Sequence, residues 1–253
     1  MEPLEVWVQS IVLVGTRIAA LVLFAPFFSH AAIPPRVKGG LVVLLTILLY
    51  PSVISATVLS ASEVVGVVLH ETFIGMLIGL SSVLVFEAVQ FAGQCLGIEV
   101  GLSLVSVLDP QTQADSPVLS VLLQTILLLL FLDLNVHHWL LRALADSYRL
   151  IPPGAGRLTG VVVQDLFQQA GMIFALGVQI AAPVLAATLL ADIVFAFLAK
   201  ASPQMPVLLL GMPVKFVLGL TTLWAGLRFW PVIFDRNFAL ALQSGERWLH
   251  LAR

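Results

Sequence analysis

The sequence predicts an all-α integral membrane protein, a single membrane domain of about six apolar helices in kinked hairpins. Two observations carry that prediction. Hydrophobic residues make up 60% of the 253 positions and charged residues only 10%, with a mean hydropathy of +1.06. A soluble domain carries roughly 45–50% apolar and roughly 25% charged residues, so this chain is too poor in charge to cover itself for water. The apolar residues also arrive in unbroken runs of the ~20 residues that a helix needs to cross a bilayer. Membrane barrels show ~10-residue alternating segments instead, and a helix satisfies its own backbone inside lipid. Disorder is excluded by the same composition. A net charge of −2 leaves no footprint for nucleic acid. Cys95 is the single cysteine, so it has neither a disulfide partner within the chain nor a cysteine to share a metal with.

Taken in order, the apolar segments run over about 6–28, 37–59, 64–86, 117–136, 167–198 and 206–230. The N-terminus, Met1 to Glu5, is acidic and lacks the cationic start of a cleavable signal, so the first segment is expected to be retained. That segment carries Arg17 near its centre. The connection 29–38 holds Pro34, Pro35, Arg36 and Lys38, and Pro51 interrupts the second segment. The third segment carries His70, Glu71, Gly75 and Gly79. The connection 91–116 is longer than a helical-hairpin turn, and its apolar stretch 102–108 is expected to pack inside something. The fourth segment ends among Asp133, Asn135, His137 and His138, where polar anchoring of a helix end is expected and a metal site is disfavoured by an incomplete ligand set. The fifth segment exceeds one span and has Pro183 near its middle, while Pro213 lies inside the sixth. Each proline is either a tolerated kink or the break of a helix that exposes backbone to a cavity.

Arg142, Arg149 and Arg157 fall on one side together with Arg228, Arg236, Arg247 and Arg253, if six conventional spans are counted. Arg36, Lys38 and Lys200 fall on the other. The majority favours both termini in the cytoplasm and the 91–116 connection outside.

Ionisable residues within membrane segments are costly and point to function. Here they are Arg17, His70, Glu71, Asp133, Asp192 and Lys215. Glu71, Gly75 and Gly79 recur at every fourth position and share one helix face, and Gly211, Lys215 and Gly219 repeat the pattern with a cation. Such glycines let helices approach closely. Glu71 and Asp192 are the candidate partners for Arg17 and Lys215. Either these charges pair across helix or subunit interfaces and set register, or they line a proton path. Gly93, Gly97 and Gly101 form two overlapping small-residue spacings, readable as a packing seam or as hinges of a bending loop.

Enzyme motifs fail in turn. His70-Glu71 is followed by Ile74 where a zinc protease needs histidine, and no phosphate-binding glycine loop or Gly-x-Ser-x-Gly elbow occurs. Neither catalysis nor a cofactor is expected.

Several stretches together carry a resemblance. They are Arg17 with APFFSHAAIPPRVKGGL, AGQCLGIEVGLSLVSVLDPQTQADSPVL, LLFLDLNVHHWLLRALADSYRLIPPG, and QIAAPVLAATLLADIVFAFLAKASPQMPVLLLGMPVKFVLGL. In this order they resemble the FliR family of flagellar export-gate proteins, whose virulence-secretion counterparts are the SctT proteins. The pattern Gln94, Gly101, Asp109-Pro110-Gln111 looks more like the flagellar branch. The resemblance implies a gate subunit assembled with FliP and FliQ, associated with FlhB, in the flagellar basal body of the inner membrane. Its implied cargo is unfolded flagellar protein, moved by the proton-motive force. It implies a FliP-like part over about 1–160 and a FliQ-like hairpin over about 161–253, with neighbouring subunits covering many apolar helices. It also implies that 102–117 is a plug closing the pore, formed by Leu102, Leu104, Val105, Val107, Leu108, Asp109 and Pro110. Leu104 and Val107 stand where relatives often carry phenylalanine, which leaves the plug apolar but smaller. Apolar side chains close a narrow pore by dewetting. A stand-alone ion-coupled transporter of small molecules is the alternative. Internal repeats would favour it, and the two halves show none.

Overall fold

The computed structural model describes residues 2–53, 61–102, 118–155, 160–202, 204 and 207–252. Among these residues all regular structure is helical: α1 (Glu2–Phe24), α2 (Pro26–Ser29), α3 (Pro35–Leu49) with a 3-10 turn at Tyr50–Ser52, α4 (Ala61–Glu99), α5 (Val118–Asp133), α6 (Val136–Leu150), α7 (Gly160–Ala201), α8 (Val207–Leu227) and α9 (Trp230–Leu251). The all-α membrane class is therefore what the chain adopts.

Local chemistry sets the boundaries. Ala25 is extended (φ −71°, ψ 128°) and separates α1 from α2. Pro26 and Pro35 open α2 and α3, where a missing N–H costs nothing and the fixed φ already suits a helix. The Lys38 ammonium donates to the carbonyl of Ser29 at 2.7 Å, satisfying an acceptor left over at the end of α2. Gly101 takes φ +84° just past α4, the left-handed position that ends many helices and that a side chain would strain. Asn135 takes φ 56° and donates to the carbonyl of Asp133 at 3.2 Å, so α5 and α6 meet at a 64° bend.

Four described helices are long and apolar enough to cross a membrane: Trp7–Phe24, Glu63–Glu99, Gly160–Ala201 and Leu210–Leu227. The bent pair Val118–Asp133 and Val136–Leu150 makes five if counted as one span. These four or five candidates among the described residues agree with the expected all-α membrane class of about six apolar helices. Of the second segment, α3 takes up the part to Leu49, where Pro51 lacks the N–H a continuing helix needs and the backbone tightens into the 3-10 turn; 54–59 lie outside the described residues. The third lengthens: α4 continues to Glu99 over 39 residues, so 91–99 is helix and not the start of a loop. Gly93 and Gly97 are thus helical residues, not loop hinges. α7 and α8 run unbroken through Pro183 and Pro213, so neither proline breaks its helix.

The described fold divides into two compact units. The first comprises Met1–Val85, Phe131–Ala170 and Asn237–Arg253. Its centre is the close pairing of α1 with α4. A Cβ at Gly75 would overlap the carbonyl oxygen of Arg17, and one at Gly79 would stand 3.0 Å from the Cβ of Phe24. α6 presents Val136, Leu140, Leu144 and Tyr148 to the core at helical spacing. The end of α9 packs Gly245 against Ser81 of α4 and buries Trp248, whose indole N–H donates to Asp165 of α7 at 2.6 Å. The second unit comprises Phe86–Leu130 and Gly171–Arg236. Gly93 of α4 lies against Ser120 of α5, Gly177 of α7 against Phe91 of α4, and Gly219 of α8 against Val100 and Val184.

Candidate functional site

Two ion clusters hold Arg17, Glu71, Asp192 and Lys215, four of the charges that the apolar segments carry. The first lies in the first unit. Arg17 of α1 donates through Nε to Glu71 Oε2 of α4 at 2.7 Å, and neither side chain has any exposed surface. Its two terminal nitrogens donate to Ser147 Oγ and to the carbonyl oxygen of Ile151, each at 3.1 Å. The second carboxylate oxygen of Glu71 accepts from the backbone N–H of Gly154 at 3.0 Å. The Tyr148 ring lies 4.4 Å from the guanidinium carbon, and its hydroxyl donates to the carbonyl of Val14 at 2.9 Å. α1, α4, α6 and the turn Ile151-Pro152-Pro153-Gly154 thus meet at one buried charge pair. Gly154 takes φ +86°, so the turn that presents its N–H to Glu71 favours glycine at this position.

This arrangement follows from the spacing on α4. Glu71, Gly75 and Gly79 share one face, and that face meets α1. The missing side chains let the helices close until Glu71 reaches Arg17. A buried ion pair offsets its desolvation only when the remaining donors and lone pairs are also satisfied. Here Ser147, Ile151 and Gly154 supply those partners.

The second cluster lies in the second unit. Lys215 Nζ of α8 stands 2.8 Å from Asp192 Oδ2 of α7 and 2.9 Å from Glu99 Oε1 at the end of α4. One ammonium therefore serves two carboxylates. Unlike the first cluster it reaches the surface: the side chains are 17% (Lys215), 46% (Asp192) and 31% (Glu99) exposed. The glycine pattern around it is split. Gly219 closes on Val100 and Val184, whereas a Cβ at Gly211 would touch only the Phe195 ring, at 3.7 Å.

The other candidate residues fall elsewhere. Asp133 is exposed at the α5–α6 bend and joins neither cluster. Gly97 is buried and Gly101 ends α4. Of the plug residues only Leu102, the first of the segment, is described; Leu104, Val105, Val107, Leu108, Asp109 and Pro110 lie outside the described residues. Among the described residues no group of three or more His, Cys, Asp or Glu side chains is placed to hold a metal ion.

Sequence reasoning missed five participants. Ser147, Tyr148, Ile151 and Gly154 lie about 130 residues from Arg17, and two of the contacts are made by backbone atoms. The Pro-Pro-Gly turn was the available signal, since it marks a rigid turn with a free N–H. Glu99 falls within the connection expected over 91–116, and carrying the helical pattern past Phe91 puts it within reach of Lys215. A polar bridge was missed as well: Gln124 of α5 donates to the side chain of Gln90 of α4 at 3.0 Å.

The chain matches the family described as bacterial export proteins, family 1, over residues 8–241. It is 30% identical over 234 residues to the flagellar biosynthetic protein FliR of Pectobacterium carotovorum subsp. carotovorum, covering 92% of this chain and 90% of that protein. It is 29% identical over 210 residues to FliR of Escherichia coli (strain K12), covering 83% and 80%. It is 27% identical over 248 residues to FliR of Bacillus subtilis (strain 168), covering 96% and 95%. This is a family of export-apparatus components and not a known enzyme family. The membrane helices, the match along nearly the whole chain and the flagellar relatives agree: the chain belongs to the FliR family of bacterial export proteins, membrane components of flagellar biogenesis and protein export.

Proposed function

We propose that this chain is a subunit of the flagellar export gate, forming with FliP-like and FliQ-like subunits the channel through which unfolded flagellar proteins cross the inner membrane. An FlhB-like protein associates with that gate, and flagellum assembly requires it. In this reading about 1–160 form the FliP-like part, about 161–253 form the FliQ-like hairpin and tail, and 102–117 form the plug.

The observation that carries the reading is the uneven cover of the apolar helices. The apolar window of α4 is 61% buried, whereas those of α7 and α8 are 22% and 17% buried. α7 and α8 nevertheless carry the Lys215 cluster. A charged cluster on a sparsely covered pair of helices suits a surface that neighbouring subunits complete. The Arg17–Glu71 pair serves as the internal lock of the subunit, since it has no exposed surface through which a proton could enter.

The test is isolation of the native complex from membranes by a tag on this chain. Recovery together with FliP-like and FliQ-like partners is the expected result. Recovery of a monomer or homodimer that binds a small solute would overturn the gate reading in favour of a stand-alone transporter.

A further inference from the structure

A second feature of the second unit has no part in the ion clusters. Where α8 turns into α9 against the middle of α7, the structure contains a cavity of about 320 Å³. That lies within the roughly 300–1,000 Å³ range of ligand sites. Ile180 and Pro183 of α7, Gly226 of α8, and Ile233 and Phe234 of α9 are among its walls. A Cβ at Gly226 would meet nothing within 4 Å, so the wall is cut back there to open space.

Polar groups are few, and they are unevenly committed. Thr222 already donates its hydroxyl to the carbonyl of Leu218 at 2.8 Å. Gln179 lines the cavity, and its carbonyl has lost its helical donor because position 183 is proline. Arg228 also lines it, is exposed, and makes no ion pair among the described residues. Its guanidinium carbon lies 4.6 Å from the centre of the Phe229 ring, which holds the charge beside the opening.

The location selects the ligand. Arg228 follows directly on the candidate span Leu210–Leu227, and a helix of that length crossing a bilayer ends near the phosphates. Trp224 and Phe229, both exposed, flank it as aromatic residues flank membrane–water boundaries. We infer that this cavity binds an anionic glycerophospholipid, with an acyl chain against Pro183, Gly226 and Phe234 and the phosphate on Arg228. A basic residue beside a hollow between membrane helices is the chemistry that captures such headgroups. Charge complementarity and the apolar walls together favour lipid over a soluble anion.

The test uses the complete export complex in nanodiscs of mixed phosphatidylglycerol and phosphatidylcholine, with retained lipids counted by native mass spectrometry. The unaltered complex is expected to retain phosphatidylglycerol preferentially. Arg228→Gln should lower that preference about fivefold, the worth of one cationic side chain at a membrane surface. Arg228→Lys should keep most of it, and Gly226→Leu, which fills the cavity, should reduce retention of both lipids. An unchanged preference in Arg228→Gln overturns the proposal. So does displacement of the lipid by inorganic phosphate alone. A photo-reactive side chain at position 226, in a chain that keeps Arg228, gives a further arm. Crosslinks to phosphatidylglycerol support the site, and crosslinks to a peptide of another subunit overturn it.

Discussion

Arg17 and Glu71 differ in kind from the exposed charges of the chain. Arg149 and Asp146 lie 3.7 Å apart on α6, with side chains 87% and 62% exposed. Such pairs contribute roughly 0–1 kcal/mol. The Arg17–Glu71 pair has no exposure, and removing one partner of a buried pair costs about 3–5 kcal/mol because the other charge is left uncompensated. Arg17→Met should therefore strongly lower the melting temperature and the yield of folded protein, whereas Asp146→Asn should leave both unchanged. Thermal unfolding in detergent, followed by fluorescence, checks this, and equal effects of the two variants would remove the lock from the account. Lys215 poses a different question, because its cluster is partly exposed. If the cluster only holds α4, α7 and α8 in register, Lys215→Met should reduce complex yield while export keeps its dependence on the proton gradient. Export by the assembled variant that no longer responds to collapse of the gradient would assign the cluster to proton coupling instead. The pairing of these charges was half legible. Glu71 and Asp192 stood out as the acids on or near glycine-bearing segments, and both are partners. Ser147, Ile151 and Gly154 were not legible, because a carbonyl or an N–H carries no residue-type signal and their separation from Arg17 and Glu71 in the chain exceeds any local pattern.

At the scale of elements, the four-residue repeat on α4 proved the most informative pattern. Gly75 and Gly79 face α1 so closely that the backbone of Arg17 occupies the place of a side chain. Gly75→Val should force α1 and α4 apart and break the Arg17–Glu71 contact, with a loss comparable to the larger core disruptions of a few kcal/mol. Gly171→Ala offers the contrast, since nothing lies within 4 Å of its Cβ position and alanine favours a helix by about 1 kcal/mol over glycine. Melting temperatures of the two variants should move in opposite directions. Helix ends were read less well than helix faces. Pro51 marks the end of α3, as an interruption of the second apolar segment. The glycine- and glutamine-containing run from Ala92 to Glu99 read as loop because its hydropathy falls. It is helical because nothing in it removes a backbone donor before Gly101 supplies the left-handed turn. The Asn135 bend was better legible: the fourth apolar segment is expected to end among Asp133, Asn135, His137 and His138, and there one residue at φ 56° turns the chain.

For the whole molecule, apolar content and burial are separate quantities. The windows of α4 and α7 are both strongly apolar, yet 61% of one and 22% of the other are buried. Hydropathy measures what a residue avoids and carries no information on whether lipid or protein shields it, which is why burial could not be read from the apolar runs. The plug reading yields an outcome at the same scale. Deleting 104–108 should leave the complex assembled but raise the leakage of small solutes through membranes that contain it. Unaltered impermeability of that deletion would sink the assignment. The Arg17 contact also has a consequence in time. Arg17 emerges during synthesis 54 residues before Glu71 and 130 before Ser147. At about 5–20 residues per second, the first interval is about 3–11 s and the second about 6–26 s. For those seconds a cation sits unpaired within the first apolar segment, at a cost of roughly 2.5–3.5 kcal/mol near mid-membrane. The nascent α1 is thus metastable in lipid until α4 is made, and the order of the genetic text, not only the final contact map, decides how long the ribosome and the insertion machinery must hold it.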